Sequence, residues 1–66
     1  MTLADIEMTQ GCCGEHYQWA EVQCPTGWLR IKRDQDGCLR VTQFGNDKQL
    51  TIAERQATVE EIEALL

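Results

Sequence analysis

The sequence predicts an α+β fold: a small antiparallel β-meander of three or four strands with one C-terminal helix packed on one face. Three observations predict it. Apolar and polar residues alternate over residues 17–24, 28–33 and 38–44, the period of half-buried strands. Turn-forming residues separate these runs at Pro25-Thr26-Gly27 and at Asp34-Gln35-Asp36-Gly37. Towards the end the period becomes helical, with Ile52, Val59, Ile62, Leu65 and Leu66 on one stripe.

Taken in order, residues 2–9 alternate Ala4, Ile6 and Met8 against Leu3, Asp5 and Glu7, which predicts an edge strand. Residues 11–14 form a loop, with glycine on both sides of Cys12-Cys13. In the next strand Ala20, Val22 and Cys24 point inward, and Tyr17, Trp19, Glu21 and Gln23 outward. After the proline turn, Leu29 and Ile31 point inward, and Trp28, Arg30 and Lys32 outward. Gly37 suits the left-handed position of a bulged hairpin turn. That turn sets Asp34 opposite Cys38, Ile31 opposite Val41, Trp28 opposite Phe44, Arg30 opposite Thr42 and Lys32 opposite Arg40. A two-residue turn at Pro25-Thr26 likewise pairs Glu21 with Arg30 and Trp19 with Lys32. Residues 45–48 are a polar loop. Thr51 with Glu54 and Thr58 with Glu61 both have capping-box spacing. The helix therefore either runs from about Ile52 to the end, or starts at Thr58 after a short turn. Its stripe packs on Ala20, Val22, Leu29, Ile31, Leu39 and Val41, with Glu60, Glu61 and Glu63 facing water.

Residues 1–66 make one small domain. A chain this short buries only ~60% of the surface its unfolded form exposes, so a disulfide, a metal or a second subunit would all find use. No signal-peptide pattern and no apolar run near the ~20 residues of a membrane span is present, so the expected location is the cytoplasm, without membrane association. Cysteines there are normally reduced. The net charge is −5 and unevenly placed: residues 1–27 have no Lys or Arg, while residues 28–40 hold Arg30, Lys32, Arg33 and Arg40. The overall sign repels nucleic acid at long range.

The outward face gathers Tyr17, Trp19, Trp28, Arg30, Lys32, Arg40 and Phe44, which include every aromatic residue of the chain. Nothing else in the sequence is left to cover it. Exposed aromatics beside cations mark contact surfaces, and Trp and Arg most often carry binding energy. The competing reading is that the long cations lie over the rings, with Glu21 neutralising Arg30. The functional expectation is a non-enzymatic protein-binding module, a small acidic inhibitor or adaptor, with a protein partner or a second copy of the chain as homodimer on this face. A nucleic-acid-binding module using the same face ranks second, since bases stack on sheet aromatics. A small zinc-stabilised domain ranks third, with Cys13, His16, Cys24 and Cys38 as its candidate ligands. No cofactor and no small-molecule substrate is evident. Asp34 with Asp36 is explained by turn chemistry, and no phosphate loop, nucleophile elbow or zinc-protease motif appears, so no catalytic residue is named.

Overall fold

The computed structural model describes residues 2–11 and 17–66. They form five antiparallel strands, β1 (Thr9–Gln10), β2 (Tyr17–Cys24), β3 (Gly27–Asp34), β4 (Leu39–Phe44) and β5 (Leu50–Gln56), followed by one helix, α1 (Val59–Leu65). Strand order follows the chain, β1-β2-β3-β4-β5, so each strand pairs with its sequence neighbours. The fold is α+β, with five strands rather than three or four.

The two central hairpins have the register their turns dictate. Trp19 lies opposite Lys32, Glu21 opposite Arg30, Trp28 opposite Phe44, Arg30 opposite Thr42, Ile31 opposite Val41 and Lys32 opposite Arg40. Gly27 ends the proline turn at φ +146, and a Cβ there would run into the Phe44 carbonyl. At the second turn Gly37 has φ +85, and its N–H donates to Asp34 O at 3.0 Å. Asp34 holds this turn: its Oδ1 accepts from the N–H groups of Asp36 and Cys38, both at 3.1 Å.

Two elements differ from the sequence expectation. Residues 2–9 are not a strand. Leu3–Asp5 is a turn of 3₁₀ helix, and pairing with β2 begins only at Thr9. The cause is local: the Thr2 N–H and hydroxyl each donate to Asp5 Oδ2 at 3.0 Å, closing a turn that competes with extension. Residues 52–66 are not one helix. Residues 50–56 pair with β4 through two register shifts, and the Ala57 N–H donates to Leu39 O at 3.0 Å. Pairing satisfies the outward backbone groups of β4, which a helix from Ile52 would leave open. The second capping box is the real one: Glu61 N–H donates to Thr58 Oγ1 at 3.1 Å, and Thr58 N–H to Glu61 Oε1 at 3.3 Å.

The core lies between one face of the sheet and α1. Leu29, Ile31, Val41 and Ile62 are fully buried, and Leu3, Ala20, Cys24, Leu39 and Ala57 surround them. Ile62, Leu65 and Leu66 of the expected stripe pack inward, whereas Ile52 and Val59 are exposed. A helix of seven residues has no stability of its own in water, so α1 is held by this packing. Glu63 is an anchor rather than a solvated charge: its Oε2 accepts from the Leu3 N–H at 2.8 Å, tying the 3₁₀ turn to α1.

Candidate functional site

The face of the sheet opposite α1 has no element across it among the described residues. Alternation along β2, β3 and β4 places Tyr17, Trp19, Glu21, Trp28, Arg30, Lys32, Arg40, Thr42 and Phe44 there. The seven residues expected on this face are therefore brought together. None of the four aromatic side chains is buried and none is fully exposed; each lies half-buried on the strand surface.

The cations lie across the rings. Arg30 stands 5.2 Å from the Phe44 centroid, Lys32 4.4 Å from Tyr17 and Lys48 4.3 Å from Trp28. Three of the four cations also have a carboxylate. Arg30 meets Glu21 at 3.2 Å, Lys48 meets the other oxygen of Glu21 at 3.3 Å, and Arg40 meets Asp34 at 3.3 Å. Lys32 is the cation on this face with no carboxylate within ion-pair distance among the described residues. It sits between Trp19 on β2 and Arg40 on β4, so the like charge beside it is drawn away towards Asp34. The Arg30 guanidinium, with Lys48 in support, holds the Glu21 carboxyl below the usual glutamate range, against a smaller opposing effect of burial.

These groups border two adjoining depressions. A shallow cleft of about 380 Å³ is lined by Tyr17, Trp19, Glu21, Arg30, Lys32 and Glu54. Beside it, a dent of about 60 Å³ lies among Glu21, Trp28, Arg30, Phe44 and Lys48. Both signs of charge and aromatic rings thus meet in one open surface, which suits recognition of a polar segment with an apolar side chain.

Two residues here escaped sequence reasoning. The spacing of Thr51 and Glu54 is that of a helix cap, whereas β5 carries Glu54 to the cleft. Lys48 comes from the β4–β5 loop. That loop is closed by Lys48 N–H donating to Gly45 O at 2.9 Å and Gln49 N–H donating to Asp47 Oδ1 at 3.0 Å. Lys48 itself has φ +63, the left-handed region that glycine and asparagine usually occupy. Asn46-Asp47 signals a turn in the sequence, but nothing there signals that the following lysine folds back on Trp28.

Of the candidate zinc ligands, Cys13 and His16 lie outside the described residues. Cys24 faces Gly27 at one end of β3, and Cys38 O accepts from Asp34 N–H at the other. At ~3.3 Å per residue the length of β3 puts them roughly 20 Å apart. One zinc ion, with bonds near ~2.3 Å, does not hold both. Cys24 is a buried core thiol whose Sγ lies 3.5 Å from the Thr26 hydroxyl. Among the described residues no helix is long and apolar enough to cross a membrane. Comparison of the chain with protein-family models, with curated proteins and with solved structures found no match.

Proposed function

We propose that the chain is a non-enzymatic protein-binding module, a small acidic inhibitor or adaptor, that engages an acidic segment of its partner through the open sheet face. The observation that carries this reading is Lys32. It is held between the Tyr17 and Trp19 side of the cleft and Arg40, and it is the one cation there without an anionic partner among the described residues. A carboxylate from a partner would complete it, and the half-buried Trp19, Trp28 and Phe44 offer apolar anchors around it. The rest of the surface, net acidic, repels other acidic proteins and restricts productive approach to this face.

A second reading, a nucleic-acid-binding module, draws on the four cations of the same face. Salt separates the two. Phosphate contacts weaken steeply with ionic strength, and aromatic-anchored protein contacts much less. The test immobilises the full chain and two variants, Lys32→Glu and Trp28→Ala, and captures from a cell extract at low salt and at about 0.5 M salt. The expected result is a protein retained by wild type at both salts and lost from both variants, whose circular dichroism is unchanged. Capture of nucleic acid that disappears at the higher salt would replace this reading by the second. Equal capture by all three chains would overturn both.

A further inference from the structure

The strand order makes β1 and β5 the two edges of the sheet. β1 offers two residues, and β5 offers seven. Along β5 every residue except Arg55 is exposed. Leu50 and Ile52, at 60% and 45% exposure, are two of the three large apolar side chains exposed among the described residues. The strand contains neither proline nor lysine, the residues that most often block an open edge. An edge of this kind presents a row of backbone donors and acceptors that templates another strand.

We infer that β5 pairs with β5 of a second copy of the chain, antiparallel about a twofold axis, joining two sheets edge to edge. Charge selects the second copy as occupant. The chain carries −5, yet β5 holds one Glu and one Arg and is neutral, so two copies meet there without added repulsion between the paired strands. A twofold axis sets the central residue against itself. Centres at Glu54 or Arg55 oppose like charges and centres at Ile52 or Ala53 set Glu54 against an apolar side chain, whereas a centre at Thr51 sets Leu50 of each copy opposite Ile52 of the other, with Glu54 and Arg55 beyond them. The small core adds a motive, since the largest fully buried side chains among the described residues are Leu29, Ile31, Val41 and Ile62. Two limits keep the association weak. A seven-residue edge spans ~24 Å and cannot supply the ~1,200 Å² of a stable interface. The register shifts against β4 also twist the strand. The result is a monomer–dimer equilibrium seen at high concentration, and salt, by screening the remaining charge, favours the dimer.

Sedimentation equilibrium of the full chain from about 10 µM to about 1 mM, at low salt and at about 0.5 M salt, tests this. The expected mass rises from 7.5 kDa towards twice that value, further at the higher salt. Ile52→Lys holds it at one chain, and Trp28→Ala does not. A mass of one chain throughout overturns the inference. So does a rise that survives Ile52→Lys, or one abolished by Trp28→Ala, which would move the contact to the open face. Should Ile52→Lys fail to fold, amide exchange of the wild-type chain decides. Protection of β5 amides that grows with concentration supports the pairing, and protection independent of concentration refutes it.

Discussion

Lys48 combines an unfavourable backbone with two favourable side-chain contacts, and the two can be separated by substitution. Its left-handed φ of +63 costs an L-residue roughly 1 kcal/mol. Against this stand the ion pair to Glu21 at 3.3 Å and the amine 4.3 Å from the Trp28 centroid. The lysine side chain is 57% exposed, so each contact belongs at the lower end of its range, about 0.5 kcal/mol apiece. Lys48→Ala keeps the backbone cost and removes both contacts, for an expected loss of about 1 kcal/mol. Lys48→Gly removes both contacts and relieves the backbone, so it should stay near wild type even after the entropy glycine adds to the unfolded chain. In a domain of this size about 1 kcal/mol moves the melting temperature by roughly 4–8 °C. Urea and thermal unfolding followed by tryptophan emission measure this, and the native baseline also reports Trp28 losing its cation. An alanine variant as stable as wild type would refute the contacts. A glycine variant less stable than the alanine variant would refute the backbone assignment.

Other substitutions reach the core and the ion pairs. Ile62→Ala empties the one fully buried position of α1 and should cost about 2–5 kcal/mol, a large share of the ~3–10 kcal/mol available to a chain of this length; a chevron or urea curve shows it as loss of most native signal near room temperature. Arg55 lies opposite Val41 on the helix side of the sheet, and its Nη1 is buried without a hydrogen-bond partner among the described residues, so Arg55→Met should raise the urea midpoint, by about 1 kcal/mol in stability. Glu21 gives the pH dependence. Its carboxyl titrates below the ordinary glutamate value when folded, so its contribution is present above that value and is lost as pH falls through the folded one. Tryptophan emission should then change in that acidic window as Arg30 and Lys48 are released, and the change should vanish in Glu21→Gln.

What was legible in the sequence is what short-range chemistry decides. Gly27 and Gly37 occupy backbone angles that few other residues accept, so the turns and the register from Tyr17 to Phe44 follow from them, and with the register the part of the open face that β2, β3 and β4 supply. Thr58 with Glu61 likewise marks the start of α1. The misread segments depend on distant partners. Thr51 and Glu54 have the spacing of a cap, but the free edge of β4 makes extension the better outcome for residues 50–56. Residues 2–9 alternate like a strand, yet Leu3 is drawn under α1 and its N–H to Glu63. The candidate site was incomplete for the same reason. Lys48 is twenty positions from Trp28 in the chain and Glu54 reaches the cleft only through a strand that local spacing disguised.

The strictly sequential strand order has a kinetic consequence. Each hairpin closes over a short loop, so the sheet can zip up from its two glycine turns without waiting for any distant part of the chain. The bond from Leu3 to Glu63 is of the opposite kind, spanning sixty positions. Docking of α1 is then the late step. Until it occurs the apolar side of a finished sheet stands in water, and any delay in bringing residues 59–65 home extends the interval in which nascent chains can stick to one another through Leu29, Ile31 and Val41.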